Sequence, residues 1–320
     1  MHPYLFRIGN FELRIYSLAL MIAIVVALYF VSRRAKQLKL DSRLLENAVV
    51  LFFLSSIIGA RVYYVVLNWS YFSRNPGEIL AVWHGGLAVH GGIIAGIIAA
   101  FLWCRYKRVS LFFIGDLLAP FILLGQGIGR FGNYANGEAH GAPTITPPEI
   151  IFRFKPVFTQ FWQSVLSQTD TTNSPAGITA LFNKIAAMPQ IVTFQNHEYL
   201  LKEYVPWGVS FPAKYMSMAY SQFGSMPVHP TFFYEMILNF IGAFLLIRLW
   251  RKDSNLGTGK IFALYLAMYG IIRSFVTFFR ADDLMLGPLR APHLASVALI
   301  IISVVWFLCA KNSRKELPYK

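Results

Sequence analysis

Long apolar stretches, separated by short polar and basic segments, recur along the chain. Seven of them are long enough for a helix that crosses the hydrocarbon core of a membrane, which takes about 20 residues. The predicted spans are residues 15–32, 47–67, 86–104, 111–128, 232–250, 261–279 and 294–310. The pattern therefore predicts an all-α integral membrane protein, with residues 1–320 forming a single polytopic membrane domain.

The segment between the fourth and fifth spans, residues 139–228, contains no apolar run of spanning length. Scattered Pro, Thr, Asn and aromatic residues predict short helices at 152–166 and 178–188, with a turn at 171–175. We expect an extracytoplasmic insertion. It either caps the membrane domain with a small core of its own or rests an aromatic and basic surface on the lipid headgroups.

Composition supports the membrane class, because 56% of the 320 residues are hydrophobic and only 14% are charged. The first span differs from a cleavable secretion signal, since its basic cluster follows the apolar run and no small-residue cleavage site is present. Cys104 and Cys309 lie in separate apolar runs and fit neither a disulfide framework nor a metal-ligand spacing. We expect both to be packing or lipid-facing residues.

Lys and Arg are concentrated in alternate loops, which indicates the orientation of the chain. One set of loops carries more than half of the 29 basic residues: Arg33, Arg34, Lys36, Lys39, Arg43, Arg105, Lys107, Arg108, Arg248, Arg251, Lys252, Lys260, Lys311, Arg314, Lys315 and Lys320. The opposite short segments hold Arg7, Arg14, Arg74 and Arg290. We expect the amino terminus outside and the carboxyl terminus in the cytoplasm. The net charge of +14 then reflects topology and lipid headgroups, and no nucleic-acid partner is expected.

Ionisable side chains gather near the outer ends of the predicted spans. Such a group costs several kcal/mol in hydrocarbon unless it is paired or lines a wet cavity, so charges from separate helices at one level indicate a functional chamber. A lone arginine near a helix end commonly extends to the headgroups instead, and this alternative stays open for Arg61 and Arg280. The residues at this level are Arg61, His90, Arg130, Glu235, Arg273 and Arg280.

Arg130 lies among glycines that remove side-chain bulk and let backbone amides and the guanidinium approach a ligand closely. The favoured ligand is a lipid phosphate. These glycines are Gly127, Gly129 and Gly132.

Two His-Gly-Gly units begin at His84 and His90. Histidines at this spacing share no helix face, and no other His or Cys stands at ligand spacing, so no zinc site is expected. His90 falls inside the third predicted span and can accept a proton near neutral pH. A purely structural role for His90 stays open.

Four segments carry a resemblance to a known family. They are His90-Gly-Gly, Gly129-Arg-Phe-Gly-Asn-Tyr-Ala-Asn-Gly-Glu138, His229-Pro-Thr-Phe-Phe-Tyr-Glu235, and Tyr269-Gly-Ile-Ile-Arg273 with Phe279-Arg280. Together they resemble the bacterial prolipoprotein diacylglyceryl transferases, in order over all seven spans. The resemblance implies transfer of the diacylglyceryl group from phosphatidylglycerol to the lipobox cysteine of a prolipoprotein. A thioether forms and glycerol phosphate leaves, in the bacterial cytoplasmic membrane.

The resemblance also implies roles for individual residues. His90 is expected to act as the base or to orient the thiol, with Arg130 and Arg273 as phosphate clamps. No metal ion and no cofactor are expected, because the arginines supply the positive charge, and the protein is expected to be a monomer. The residues expected to bind substrate are Tyr16, Arg61, Asn133, Asn136, Glu138, Gly141, Glu235, Tyr269 and Arg280.

The chain departs from the family pattern at the sixth predicted span. Thr277 stands where the family usually has a glutamate, four residues after Arg273, so an ion pair at that position is lost or moved. The proline that normally follows is also absent from Arg280-Ala-Asp-Asp283, which leaves the exit of the helix open.

Two other functions are compatible with a polytopic membrane protein. A lipid or anion transporter is disfavoured, because no matching repeats are evident and the charges lie near one membrane face. A different lipid-headgroup transferase, acting on a nucleotide-activated lipid, is expected to carry aspartate-rich metal motifs, for which Asp282 and Asp283 are too little.

Overall fold

The structure is a computed structural model that describes residues 4–8, 11–82, 85–153, 155–252, 256–281 and 285–309. Its helices are α1 (Ile15–Gln37), α2 (Ser42–Leu67), α3 (Trp69–Phe72), α4 (Val89–Lys107), α5 (Leu111–Asn136), α6 (Pro148–Ile151), α7 (Lys155–Gln168), α8 (Pro175–Ala187), α9 (Met218–Phe223), α10 (Thr231–Trp250), α11 (Lys260–Phe279) and α12 (Ala291–Cys309). Its strands are β1 (Tyr4–Ile8), β2 (Phe11–Arg14), β3 (Gln190–Phe194), β4 (His197–Leu201), β5 (Met285–Leu286) and β6 (Leu289–Arg290). Consecutive strands pair as antiparallel hairpins.

Within the described residues, seven helices are long and apolar enough to cross a membrane, namely α1, α2, α4, α5, α10, α11 and α12. The prediction of an all-α integral membrane protein is confirmed. The largest difference from the predicted spans is at α5, which continues beyond residue 128 to Asn136. The polar motif had been assigned to the boundary with water. Arg130 and Asn133 instead belong to the helix, where their side chains pair with each other.

One compact unit contains the chain as far as Ala23, together with Ile122–Ile247 and Ala263–Cys309. Its residues 139–228 include α6 to α9 and the β3–β4 hairpin, which surround a core containing Phe161, Val165, Ile185 and Leu201. The two helices predicted in this segment correspond to α7 and α8, with ends shifted by several residues. Because this segment has a core of its own, it folds around its own side chains. Its location outside the membrane stays a prediction.

The second compact unit contains Ile24–Phe121 and Arg248–Phe262. In it, α2 and α4 pack with their backbones almost in contact: a methyl group added at Gly91 would lie 2.4 Å from the carbonyl oxygen of Gly59. The amide of Ala88 also donates to the carbonyl of Ala60 at 3.0 Å. The glycine of the second His-Gly-Gly unit therefore permits close helix packing.

Candidate active site

Three charged side chains from α5, α10 and α11 meet in the first unit. Arg130 Nη2 lies 2.5 Å from Glu235 Oε1, and Arg273 Nη1 lies 3.3 Å from Glu235 Oε2. The Glu235 side chain is only 1% exposed, whereas those of Arg130 and Arg273 are 19% and 17% exposed. One buried carboxylate thus holds two guanidiniums together, and this ionic cluster carries a net positive charge on its more exposed side.

Helix geometry places these three residues at matching levels. Arg130 and Arg273 lie between one and two turns before the ends of α5 and α11, and Glu235 lies about one turn after the start of α10. Arg130 Nη1 also donates to Asn133 Oδ1 at 3.1 Å, one turn along α5. A guanidinium has five N–H groups in a planar fork, so Arg130 retains donors for an anionic ligand after making both contacts.

Thr277, the position at which the chain departs from the family pattern, lies inside α11. Thr277 is fully buried, and its hydroxyl donates to the carbonyl of Arg273 at 2.7 Å, within α11. The anionic partner of Arg273 is Glu235, on a different helix. In this chain an acid on α10 therefore pairs with Arg273.

The end of α11, after which this chain lacks the usual proline of the family, is bound by an arginine from further along the chain. The buried Arg290 guanidinium donates to the carbonyls of Thr277, Phe278 and Arg280. These are carbonyls at the end of α11, which lack partners within the helix. Asp282 and Asp283, which follow in the sequence, lie outside the described residues.

Gly141 connects the start of α10 to the end of α11. Its amide donates to the carbonyl of His229 at 2.9 Å, and Ala142 donates to the carbonyl of Phe279 at 2.8 Å. A Cβ atom at Gly141 would lie 2.5 Å from His229 Cβ and 2.7 Å from the Phe279 oxygen, so only glycine fits. Gly141 also pairs with Arg280 in an isolated β-bridge. This backbone crossing fixes the helix ends that bear Glu235 and Arg273.

His229 lies buried beside this crossing, just before α10. Burial lowers the pKa of its imidazole to about 4, so the ring is neutral at pH 7. His229 Nδ1 lies 3.4 Å from the hydroxyl of Tyr234, which accepts a hydrogen bond from Trp207 Nε1 at 2.9 Å. In the sequence, His229 stood out only as part of a motif, although a histidine at the start of an apolar span is itself a signal.

Tyr16, Asn136, Glu138 and Tyr269, which were predicted to bind substrate, lie in the same unit as the ionic cluster. Tyr16, 38% exposed, packs on Gly132 at the start of α1. Asn136 is the partly buried last residue of α5, and Glu138 is exposed. The Tyr269 ring stacks on that of Tyr265 with centroids 6.3 Å apart. The structure shows no direct contact of these four side chains with the cluster among the described contacts.

Arg61 lies in the second unit and contacts backbone carbonyls. Its Nε donates to Ile79, Nη1 to Gly85 and Gly86, and Nη2 to Glu78 and Ala81, at 2.5 to 3.3 Å. All five of its N–H groups are therefore used to hold the segment before α4. Arg61 was predicted to bind substrate. In this conformation it has no donor left for a phosphate.

His90 is the second residue of α4, also in the second unit, and its side chain is exposed. In the sequence, His90 comes shortly after Gly85 and Gly86, whose carbonyls accept hydrogen bonds from Arg61. His84 lies outside the described residues. In the part of the chain that the structure describes, no group of three or more His, Cys, Asp or Glu side chains has a metal-binding arrangement.

An apolar groove of about 250 Å³ lies in the first unit, among α1, α5 and α10. Ile128 and Phe131 of its wall flank Arg130 in sequence, and Met236 follows Glu235. The groove is lined by Ile15, Leu18, Ala19, Ile22, Ile128, Phe131, Met236 and Phe240. The ionic cluster and the apolar groove thus share two helices, α5 and α10.

Comparisons with known proteins agree along nearly the whole chain. A family model described as prolipoprotein diacylglyceryl transferase matches residues 3–309. A phosphatidylglycerol–prolipoprotein diacylglyceryl transferase of Fusobacterium nucleatum is 39% identical over 98% of this chain and 99% of the relative. Relatives with the same name in Gloeobacter violaceus and a Staphylococcus aureus strain are 31% and 32% identical, over 99% and 94% of this chain and 96% and 86% of their own lengths.

Proposed function

Because this chain belongs to the prolipoprotein diacylglyceryl transferase family, we propose that it transfers the diacylglyceryl group of phosphatidylglycerol to the lipobox cysteine of prolipoproteins. In this reaction the thiol sulfur forms a bond to the terminal glycerol carbon of the diacylglyceryl group, and the bond from that carbon to the phosphate oxygen breaks. The thiol proton is taken up by a base, and glycerol phosphate leaves with the bonding electrons.

The observation that carries the proposal is the pair of guanidiniums held by one carboxylate. Negative charge builds on the phosphate as the C–O bond breaks, and donors fixed in advance stabilise that charge most in a medium of low dielectric. Arg130 and Arg273 supply such donors, and Glu235 fixes their spacing. Because Glu235 neutralises only one of the two cations, the cluster keeps the net positive charge that an anionic headgroup requires.

The apolar groove fits the other end of the lipid. We propose that a lipid whose phosphate contacts Arg130 places an acyl chain in this groove, whose wall includes Ile128 and Phe131. At about 250 Å³ the groove accommodates part of one chain. A lipid bound in this way presents the glycerol carbon between its charged and apolar ends.

The remaining roles are carried over from the family by motif. His90 is the proposed base or thiol orienter, because the thiolate is the nucleophile and free cysteine has a pKa of about 8.5. The residues proposed to contact the phosphate, the thiol or the arginines are Tyr16, Asn133, Asn136, Glu138, Gly141, Tyr269 and Arg280. For Arg61 we propose a supporting role, because its contacts hold the segment that leads into α4.

The chain is a multi-pass bacterial membrane protein. We propose that it lies in the cytoplasmic membrane with its amino terminus outside, as the distribution of Lys and Arg predicts. It is proposed to act as a monomer without a metal ion, another cofactor or a nucleic-acid partner.

The proposal is tested by incubating purified protein with phosphatidylglycerol and a lipobox peptide and measuring the peptide mass. We expect a gain of one diacylglyceryl group and a loss of roughly 10²-fold or more in rate for Arg130→Gln and Arg273→Gln. Arg153→Gln, which changes an exposed arginine of the 139–228 segment, is the matched control. A folded parent protein that leaves the peptide mass unchanged defeats the proposal.

Two further experiments distinguish the proposed function from the alternative functions. A transporter moves labelled lipid between leaflets without modifying the peptide. A metal-dependent headgroup transferase loses activity with a chelator and regains it with magnesium, whereas we expect no effect of the chelator.

A further inference from the structure

Asn239 is a buried polar residue that the proposed function does not use. It lies on α10, one turn from Glu235 on the side away from the start of the helix. Its side chain has no solvent exposure, and neither Nδ2 nor Oδ1 has a hydrogen-bond partner among the described residues. An unpaired amide costs about 1–3 kcal/mol per buried group, so such a residue requires an explanation.

A second polar group lies at the same level on α5. Gln126 is one turn from Arg130, again on the side away from the helix end, and its Nε2 donates to the Tyr265 hydroxyl at 3.1 Å. The Gln126 Oε1 atom is buried without a partner among the described residues. Asn239 Cβ lies against Gly127, the next residue of α5. Below the ionic cluster there is therefore a neutral polar layer, about 6 Å further along the helices.

The donor and acceptor pattern of this layer favours a peptide over the ester groups of a phospholipid. In either orientation of its amide, Asn239 offers N–H donors together with a carbonyl acceptor. The diacylglyceryl part of a phospholipid carries ester carbonyls, which only accept, and would leave the Asn239 oxygen unpaired. A peptide group presents one N–H and one C=O, and it pairs with both atoms of the side chain.

We propose that Asn239 binds the peptide backbone of the prolipoprotein next to the lipobox cysteine. This inference rests on the proposed function, because it takes the peptide to be the second substrate. The placement fits the chemistry: the thiol must reach the glycerol carbon that adjoins the phosphate, and the neutral layer lies one turn from the arginines that bind that phosphate. Asn239 is thus a substrate-binding residue that fixes the peptide beside the reacting carbon.

Phe240, the residue after Asn239 on α10, links the polar layer to the apolar groove. Phe240 lines the groove and packs on Gly127, where a methyl group would lie 2.5 Å from its Cε1 atom and 3.4 Å from Asn239 Cβ. Phe240 is 36% exposed. The proposed binding requires this ring to move away from Gly127, which would open the space beside Asn239 to an entering peptide.

The test compares two substrates in one variant. Asn239→Leu keeps the size of the side chain and removes its polar atoms. We expect about 10-fold weaker binding of a fluorescent lipobox peptide whose cysteine is replaced by serine, as loss of about 1.4 kcal/mol gives. The KM for phosphatidylglycerol is expected to stay within about 2-fold of the parent value, since phosphate binding lies elsewhere. Ser303→Ala, which removes a buried hydroxyl bonded to the Ala263 carbonyl, is the control.

A backbone-modified peptide makes the test specific. We expect replacement of one amide next to the lipobox residue by an ester to weaken binding to the parent about 5-fold or more, and to leave binding to Asn239→Leu unchanged. Equal sensitivity of both proteins overturns the inference, as does a variant that loses only thermal stability. A higher KM for phosphatidylglycerol with unchanged peptide binding assigns Asn239 to the lipid esters instead. If the parent binds the peptide but transfers nothing, the proposed function fails separately.

Discussion

Glu235→Gln is the substitution that tests the ionic cluster most directly. Glutamine keeps the size of the side chain but has one carbonyl oxygen and one amino group where glutamate has two acceptor oxygens. We expect the carbonyl oxygen of the glutamine to take the position of Oε1, which makes the shorter contact, 2.5 Å to Arg130. The amino group then faces Arg273, and two donors oppose each other across the former 3.3 Å contact.

The size of the effect follows from these contacts. One charge-assisted hydrogen bond is lost and one is weakened, at about 1.5–3 kcal/mol for each such bond. The arginines are partly exposed, so water replaces some of the loss, and we take about 2 kcal/mol as the net cost. If Arg273 must be in place for the leaving phosphate, kcat/KM falls roughly 30-fold. Arg273→Gln in the same protein then adds little, because the guanidinium is already misplaced.

The assay is the rate of diacylglyceryl transfer to a lipobox peptide, measured with saturating and with limiting lipid. Glu198→Gln, the same chemical change at an exposed position of β4, controls for loss of a surface carboxylate. Thermal unfolding in detergent separates misplacement from unfolding. Parent-like activity of folded Glu235→Gln, or full additivity with Arg273→Gln, would refute the claim that Glu235 positions the arginine.

Three further substitutions test neighbouring parts of the structure. Gly141→Ala is expected to lower the unfolding temperature by several degrees, because the new methyl group meets His229 Cβ at 2.5 Å, whereas Gly77→Ala, with no atom within 4 Å, leaves it unchanged. Arg61→Lys removes most of five hydrogen bonds, and we expect faster hydrogen exchange in residues 78–82 and 85–90; unchanged exchange contradicts the supporting role. His229 is neutral when folded with a pKa of about 4 against 6.5 unfolded, so its contribution to stability, about 3 kcal/mol, is complete above pH 6.5 and is lost as pH falls towards 4. In His229→Phe that part of the pH dependence should disappear, and an unchanged stability curve argues against burial of a neutral ring.

Helices and motif residues were predictable for different reasons. Each span is a long apolar run, and hydrocarbon permits only structures that satisfy their own backbone, so composition alone predicts the helices. Arg130 and Arg273 were identified because charges in apolar runs are costly and therefore informative. The length of α5 was underestimated because polar side chains beyond residue 128 suggested water, whereas Arg130 is paired within the protein.

Pairing between helices could not be predicted from one sequence. Glu235 was identified as a substrate contact, but its role as the common partner of two arginines depends on the packing of α5, α10 and α11. The contacts of Arg61 could not be predicted either. Its hydrogen-bond acceptors are backbone carbonyls, and no pattern of side chains indicates which carbonyls an arginine will contact. Asn239 gave a weaker signal, a single amide in an apolar helix, and it was overlooked beside the charged residues.

The position of Thr277 raises the question of what an ion pair within α11 and an ion pair between helices can each do. A glutamate at 277 would lie one turn from Arg273 on the same helix, and such a pair orients the guanidinium only along α11. Glu235 approaches from α10 and contacts both Arg130 and Arg273, so it fixes the distance between two helices as well as the direction of one side chain. Thr277 is fully buried, and its hydroxyl donates to the carbonyl of Arg273 within the same helix. In this chain the partner of Arg273 thus comes from another helix, and the packing of α10 against α5 and α11 decides where the two guanidiniums lie.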